Sequence, residues 1–96
     1  MDKLRAMQAF THIADQGSLT AAARVMTSSL PAMVRTLAAL EAHLGVRLFN
    51  RTTRRIALTD EGRRYLERCR EVLGAVQDAE ESLSDQGGEP RGQLVI

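Results

Sequence analysis

The sequence predicts a mainly α-helical fold in which three short helices and a two-stranded hairpin precede one long helix. Three observations support this prediction. Apolar residues recur at intervals of three and four over most of the chain, as in helices with one buried face. Capping residues and glycines divide the first half of the chain into short segments. Near the middle, an arginine-rich polar stretch separates a short apolar run from the alternating segment IALT, which favours a hairpin.

The first helix is indicated by apolar residues at helical spacing: Leu4, Met7, Phe10 and Ile13. Gly17 supplies a C-terminal stop for this helix, and Ser18 is a suitable N-cap for the next one. The second helix, LTAAARVM, carries a stripe of small and medium-sized residues: Leu19, Ala22, Ala23 and Met26. Small residues permit close approach of helices, so we expect this helix to pack tightly against its neighbours.

The third helix follows a polar break at residues 27–29. Ser29 is a plausible N-cap, and Pro31 falls in the first turn, where its missing N–H has no intrahelical acceptor to lose. Gly45 ends the helix. Its apolar seam consists of Met33, Leu37, Leu40 and Leu44. Because a helix advances about 100° per residue, Pro31, Arg35 and Ala38 point away from this seam, while Thr27, Leu30 and Val34 lie to one side of them.

The segment VRLFNRTTRRIALTDEG predicts the two-stranded hairpin, whose tip carries Arg51, Arg54 and Arg55. Two helices joined by a brief polar turn form the outline of a helix-turn-helix. A basic hairpin beside such a pair is the layout of a winged helix. We therefore predict a winged helix-turn-helix with three helices and a two-stranded wing, followed by a long helix.

The last helix begins after Thr59, a suitable cap, and has Asp60 and Glu61 at its positive end. Its apolar stripe consists of Leu66, Cys69, Leu73, Val76 and Leu83 and is interrupted by Glu80. A helix this long cannot bury its stripe against so small a domain, so we expect a homodimer through residues of about 62–84. The tail SDQGGEPRGQ is typical of a linker, and LVI resembles the start of a strand, which suggests a larger protein.

Charge is segregated along the chain, although the net charge is only +1. Residues 47–70 contain eight Arg and three acidic residues, whereas residues 71–96 contain one Arg and six acidic residues. A basic block between a nearly neutral start and an acidic end indicates one surface for a polyanion and another that avoids it. Arginine suits phosphate and groove contacts because its planar fork donates several hydrogen bonds at once.

Several classes of protein are disfavoured by composition. The 96 residues suit one small domain, and aromatic residues at 3% argue against a large aromatic-lined pocket. The chain has neither an apolar run near the roughly 18 residues that span a membrane nor a signal-peptide pattern, which indicates a cytoplasmic protein. Cys69 is the single cysteine, so no internal disulfide is possible. His12 and His43 lie on separate helices without a ligand cluster, so we expect no metal, no cofactor and no catalytic site.

Three segments together resemble the N-terminal DNA-binding domain and linker helix of a LysR-type transcriptional regulator: MQAFTHIADQGSLTAAARVM, SLPAMVRTLAALEAHLGVRLFNRTTRRIALTDEG and the closing GQLVI. The resemblance implies a bacterial cytoplasmic protein that binds partly palindromic double-stranded DNA. It also implies a homodimer through the linker helix, tetramers in some full-length members, and a small-molecule effector bound by a domain outside this chain. The predicted division is a DNA-binding domain at 1–59, a dimerisation helix at 60–85 and a hinge at 86–96.

In the family, the third helix usually reads S-Q-P-A-V-S-R. Ser29, Pro31, Ala32 and Arg35 match this pattern, while Leu30 and Val34 replace a polar pair. We hypothesise that Leu30, Pro31 and Val34 contact thymine methyl groups in the major groove. Arg35 then reaches a guanine edge or a phosphate. The alternative is that Leu30 and Val34 pack against the second helix or the hairpin, and that Arg35 is a solvated surface charge.

In the wing, Arg54 is the predicted minor-groove residue, with Arg51 and Arg55 near phosphates, since a thin basic loop fits the narrow groove. Simple solvation of these arginines is the alternative. Hydroxyl groups predicted to meet the DNA backbone belong to Ser18, Thr20, Thr27 and Ser28, although Ser18 and Ser29 are more securely helix caps. Arg63 and Arg64 could reach the backbone or pair with Asp60 or Glu67 and remain unassigned.

A pure interaction module is the competing class of function. In that case the last helix forms a coiled coil and the arginines serve a protein partner. Such a module does not require a basic hairpin, and it would bind DNA weakly and without sequence preference.

Overall fold

The computed structural model describes residues 1–51 and 56–88 of the chain, with side chains for residues 1–50 and 56–83. The helices and strands follow in the order α1 (Lys3–Gln16), α2 (Leu19–Val25), α3 (Leu30–Leu44), β1 (Phe49–Arg51), β2 (Ile56–Leu58) and α4 (Asp60–Gly88). This arrangement confirms the predicted fold class, a mainly helical winged helix-turn-helix followed by a long helix.

Side-chain caps begin the helices at the predicted residues. The hydroxyl oxygen of Ser18 accepts a hydrogen bond from the Ala21 N–H at 3.0 Å, and that of Ser29 accepts one from the Ala32 N–H at 3.2 Å. Each cap satisfies one of the backbone N–H groups that a helix start leaves without an intrahelical acceptor. Asp2 caps α1 in the same way through the Arg5 N–H at 3.1 Å, a cap that the sequence analysis did not name.

Glycines end α1 and α3, also as predicted. Gly17 has φ 72° and Gly45 has φ 74°, both in the left-handed conformation that most residues avoid. The N–H of Gly17 donates to the Ile13 carbonyl, and the N–H of Gly45 donates to the Glu41 carbonyl at 2.8 Å. These bonds satisfy carbonyl groups at the helix ends, so each helix stops at its glycine and the chain changes direction there.

The turn between α2 and α3 is tight and contains a strained residue. Thr27 has φ 53°, a left-handed conformation that is unfavourable for a β-branched side chain. The N–H of Ser28 donates to the Ala23 carbonyl at 2.8 Å, which ties the turn back to α2. The turn therefore holds the start of α3 close to α2, whose Ala22 and Ala23 are buried.

The core lies between α1, α2, α3, the base of the hairpin and the first half of α4. Phe10 is fully buried at its centre, with its ring centroid 5.3 Å from that of Phe49 and 5.5 Å from that of Tyr65. Tilted ring pairs at this distance add to the stabilisation from apolar burial. Other buried apolar residues are Ala6, Met7, Ala9, Ile13, Ala22, Ala23, Met33, Leu37, Leu40, Leu48 and Cys69. The predicted seams of α1 and α3 are thus largely confirmed, except that Leu4 is 44% exposed.

The two strands pair antiparallel, with Phe49 opposite Leu58 and Arg51 opposite Ile56. Phe49 is buried, while Ile56 and Leu58 are half-buried against the core. Because side chains alternate across a strand, Asn50 and Ala57 face outward. One face of the hairpin therefore belongs to the core, and this packing holds the base of the wing in place.

The first half of α4 packs on its own domain. Cys69 is fully buried, and Leu66 and Leu73 pack against the core. The Arg70 guanidinium also pairs with the Asp15 carboxylate on α1 at 2.8 Å. The expectation that this domain could not bury the stripe of α4 is therefore wrong for Cys69, whereas Leu66 and Leu73 are half-buried. The burial arises because α1 lies along α4, which the spacing within α4 alone does not reveal.

Candidate nucleic-acid interface

The first two turns of α3 present a continuous exposed surface. All five residues predicted to contact DNA from this helix are exposed: Ser29, Leu30, Pro31, Val34 and Arg35. Leu30 is 42% exposed and Val34 is 39% exposed, whereas Met33 and Leu37 on the opposite side are buried. Leu30 and Val34 are therefore not buried by α2 or the hairpin, and apolar surface is available beside the helix start. Their contact with thymine methyl groups stays a prediction.

Arg35 lies where α3 passes the start of α1. A shallow surface cavity of about 250 Å³ is lined by residues of both helices, including Asp2, Arg5 and Arg35. The Arg5 and Arg35 residues are both exposed, so two arginines line the same surface cavity. The position of Arg5 near Arg35 was not predictable from the sequence, because only the packing of α1 on α3 brings together residues 30 positions apart.

The polar residues around α2 differ in their exposure and in the hydrogen bonds that they already make within the domain. The Ser18 hydroxyl oxygen accepts from the Ala21 N–H, which leaves the hydroxyl proton available to donate elsewhere. Thr20 and Thr27 are exposed, and Ser28 is half-buried. These four residues lie at the start of α2 and in the turn before α3. Their contacts with a nucleic-acid backbone stay predictions.

The predicted wing arginines fall at the limit of the described residues. Arg51 ends β1, and its backbone pairs with Ile56, but its side chain is not among those described. Arg54 and Arg55 lie outside the described residues. The structure does describe the base from which this loop extends, since both strands pack against the core beside α3.

Glu41 connects α3 directly to the start of the wing. Its side chain is only 7% exposed. The Glu41 Oε2 atom accepts a hydrogen bond from the Leu48 N–H at 2.8 Å and a longer one from the Phe49 N–H at 3.4 Å. Its Oε1 atom is 3.7 Å from the Arg47 Nε atom. A buried carboxylate is costly unless it accepts such bonds, so Glu41 and the segment after α3 depend on each other.

The sequence analysis did not identify Glu41. The available signal was its place in the apolar seam, four residues after Leu37 and one after Leu40. A charged residue at such a position requires buried partners. Those partners are backbone N–H groups seven and eight residues later, which no side-chain pattern in the sequence indicates.

Thr59 holds the same segment from the other side. Its hydroxyl donates to the Arg47 carbonyl at 2.7 Å, and its N–H donates to the Leu48 carbonyl at 3.0 Å. The hydroxyl oxygen also accepts from the Gly62 N–H at 2.9 Å, which confirms Thr59 as the cap of α4. Residues 47–49 are thus held between the end of α3 and the start of α4, and this fixes the base of the wing.

Arg63 and Arg64, in the first turn of α4, are both exposed. The Arg63 guanidinium pairs with the Asp60 carboxylate and makes a long contact of 3.5 Å with the Leu58 carbonyl. One of the two alternatives for Arg63 is therefore observed. An exposed pair of this kind stabilises the fold little, so it does not prevent Arg63 from turning towards an anion.

The predicted dimer stripe divides into two parts. Cys69 is fully buried by its own chain and is not available to a partner, which corrects its assignment to the dimer helix. Leu66 and Leu73 are half-buried against the core. Val76 is 37% exposed and Leu83 is 75% exposed. A dimer contact by Val76 and Leu83 stays a prediction, and Val72, 42% exposed, adds a third apolar side chain near them.

The buried thiol of Cys69 and the half-buried phenol of Tyr65, both on α4, are held in their neutral forms. Burial raises the pKa of the Cys69 thiol above its ordinary value of 9.0, and a hydrogen bond with Tyr65 partly opposes this. Burial and the neighbouring thiol raise the pKa of Tyr65 above 10.0. Neither group is ionised near neutral pH, so neither provides an activated nucleophile.

The part of the chain that the structure describes contains neither a cluster of metal ligands nor a membrane-spanning helix. No group of three or more His, Cys, Asp or Glu side chains there is arranged to hold a metal ion. None of the helices described has the length and apolar character needed to span a membrane.

Comparison with known proteins gives consistent matches. Residues 4–63 match the model of a family described as bacterial regulatory helix-turn-helix protein, lysR family. The chain is 42% identical over 96 residues to the HTH-type transcriptional activator AaeR of Escherichia coli K12, covering all of this chain and 31% of the relative. It is 39% identical over 96 residues to the HTH-type transcriptional repressor PA14_22550 of Pseudomonas aeruginosa, covering all of this chain and 30% of that protein.

Among solved structures, the chain is similar to the crystal structure of the CbnR_DBD-DNA complex. The TM-score is 0.80 at 33% sequence identity, and the match covers 91% of this chain and 99% of that one. The similarity therefore extends over most of the chain.

Proposed function

Because the chain belongs to the lysR family of bacterial regulatory helix-turn-helix proteins, we propose that it is the part of a transcriptional regulator that binds double-stranded DNA at specific sequences. The observation that carries this proposal is the exposed surface of Ser29, Leu30, Pro31, Val34 and Arg35 at the start of α3. The hairpin that follows α3 contains two further arginines in its connecting residues. The proposal involves binding alone and assigns no catalytic role.

The start of α3 enters the major groove in this proposal. Leu30, Pro31 and Val34 present apolar surface to thymine methyl groups, and Arg35 donates to a guanine edge or a phosphate. Leu30 and Val34 favour apolar contacts because neither side chain donates or accepts hydrogen bonds, and both are about two-fifths exposed. Base recognition by this helix then depends more on methyl groups than on hydrogen bonds.

The wing supplies the second contact. Arg54 enters the minor groove, and Arg51 and Arg55 contact phosphates on either side of it. The hydroxyls of Ser18, Thr20, Thr27 and Ser28 donate to phosphates next to α3. The support for this arrangement is the base of the wing, which is packed on the core and bonded to the end of α3.

We further propose a homodimer through α4, with Val76 and Leu83 in the contact, and a tetramer as a possible assembly of a full-length protein. The proposed division is a DNA-binding domain at 1–59, a dimerisation helix at 60–85 and a hinge at 86–96. The chain spans about a third of the length of the curated relatives that it matches. We therefore assign the binding of a small-molecule effector to a part of the protein outside this chain. We also propose that the regulator acts in the cytoplasm. One relative is called an activator and another a repressor, so the direction of regulation is not part of the proposal.

The test is selection from random-sequence duplex DNA with the 96-residue chain, followed by titration of the selected duplex and a shuffled duplex of equal composition at several salt concentrations. We expect the selected duplex to bind at least tenfold more tightly at every salt concentration, which is a modest margin for a sequence-specific protein. A dimer would select a roughly two-fold symmetric site. Equal and steeply salt-dependent binding to both duplexes would refute sequence recognition, because counterion release alone produces it.

A further inference from the structure

The end of α3 and the start of the wing share one buried hydrogen-bond acceptor, the carboxylate of Glu41. It lies on the last full turn of α3 and receives the N–H groups of Leu48 and Phe49 at 2.8 and 3.4 Å. Phe49 is the first residue of β1. A single side chain therefore connects the helix assigned to the major groove with the strand that leads to the loop assigned to the minor groove.

We propose that Glu41 is a positioning residue that sets the direction of the wing relative to α3. The inference rests on the proposed function, since it concerns how two DNA contacts are held in register. The spacing between the base pairs contacted by α3 and those contacted by the wing depends on this direction. Glu41 contacts no base in this arrangement and acts through the backbone N–H groups of Leu48 and Phe49.

The surrounding packing explains why loss of Glu41 moves the wing without unfolding the domain. Leu48 and Phe49 are buried in the core, and the Leu48 carbonyl accepts from the Thr59 N–H at 3.0 Å. These contacts remain when the carboxylate is removed. What disappears is the pair of hydrogen bonds from Leu48 and Phe49 to the α3 side chain, while packing on the core and the bond to Thr59 remain. The angle of the hairpin to α3 is then less tightly specified.

Two neutral substitutions of Glu41 distinguish the role of its hydrogen-bond acceptor from the roles of its charge and size. Glu41→Gln keeps a carbonyl oxygen that can accept from the Leu48 N–H, whereas Glu41→Met keeps the length and volume of the side chain but provides no comparable acceptor. Both variants remove one negative charge. A difference between them therefore reports the hydrogen bond and not the electrostatic attraction of the protein for DNA.

Two footprinting reactions on the duplex selected with the unaltered chain distinguish the two contacts. Dimethyl sulfate methylates guanine N7 in the major groove and so reports α3. Hydroxyl-radical cleavage of the sugars reports the minor groove at any sequence. Circular dichroism and thermal unfolding of each variant, recorded in parallel, report whether the domain is folded.

For Glu41→Met we expect a folded protein that retains the major-groove protection, loses the minor-groove protection and binds about tenfold more weakly, the effect typical of losing one groove-contacting Arg. Glu41→Gln should restore most of the minor-groove protection. An unchanged footprint with Glu41→Met would overturn the proposal, and so would a Met variant that does not fold or that loses both protections together. If the unaltered chain itself protects neither groove, it is the proposed function that fails.

Discussion

Gly62 lies directly against the carbonyl group of Leu48, so that a Cβ atom added to Gly62 would stand 2.1 Å from the Leu48 oxygen. The backbone of the first turn of α4 therefore packs directly against the backbone at the base of the wing. The same oxygen accepts the Thr59 N–H, so the two elements cannot separate without losing a hydrogen bond. The close approach requires glycine because the nearest atom that a Cβ would meet is the backbone carbonyl oxygen of Leu48, which cannot move aside as the end of a flexible side chain can.

We therefore predict that Gly62→Ala destabilises the domain by about 1–3 kcal/mol, the usual cost of forcing a group into a packed site. The matched control is Gly74→Ala, in the same helix, where a Cβ would meet nothing within 4 Å. That variant should be more stable by about 0.5–1 kcal/mol, since alanine favours a helix interior over glycine. Urea unfolding of both variants measures the difference. Equal effects of the two substitutions would contradict the close contact.

The stability of the domain should fall in alkaline solution. The pKa of Cys69 is raised above 9.0 and that of Tyr65 above 10.0 in the folded chain, so the folded state keeps protons that the unfolded state releases. The two neutral groups therefore contribute to the free energy of unfolding. This contribution is fully present below pH 9 and is lost as pH rises through the pKa values of the folded state. Urea unfolding from about pH 8 to pH 11 gives the slope. Cys69→Ala should make the slope near pH 9 shallower, whatever its effect on absolute stability, and an unchanged slope would exclude the thiol as a cause.

Val34→Ser tests apolar recognition by α3. We expect binding to the selected duplex to weaken by roughly 5- to 100-fold, as for the loss of one good base contact. The loss should be confined to one or two thymine positions, where replacing thymine by uracil removes the methyl group and weakens the unaltered protein but not the variant. Val25→Ser is the control, because Val25 is 49% exposed at the end of α2 and lies outside the α3 surface. The role assigned to Val34 is abandoned if both variants bind every position as the unaltered protein does.

The second half of α4 should carry the dimer contact. Val76→Lys places a charge on an apolar side chain that is 37% exposed, and burial of that charge in a contact between two chains would be unfavourable. We expect the dissociation constant of the dimer to rise at least tenfold in sedimentation equilibrium. Ala75→Lys adds the same charge to an adjacent exposed position on a different side of the helix and should have a smaller effect. A dimer that tolerates Val76→Lys must use another surface.

The helix boundaries were predictable from sequence because caps act within a few residues. Ser18, Ser29 and Thr59 each bond an N–H three residues ahead, and Gly17 and Gly45 end helices through their own backbone conformation. Such signals need no knowledge of distant parts of the chain. The outward direction of the predicted α3 residues likewise followed from helical periodicity, and their exposure agrees with it.

The partners of the long last helix were not predictable in the same way. Spacing identified the stripe of α4 but not what covers it, because an apolar face is satisfied equally by the same chain or by a second copy. The structure assigns Cys69 to the core through the position of α1, and the ion pair between Arg70 and Asp15 joins residues 55 positions apart. Val76 and Leu83 lie further along the same stripe and remain exposed.

By itself, the sequence determined the order of the elements, the helix caps and the face of α3 that points outward, because these depend on interactions between residues close in the chain. It also indicated the family, through the resemblance of three segments. Only the tertiary structure placed Glu41 under Leu48 and Phe49, Gly62 against the Leu48 carbonyl and Arg5 beside Arg35. These relationships join backbone groups or separate helices. Backbone N–H and C=O groups are common to almost every residue, so no pattern of side chains reveals which of them will meet until the chain has folded.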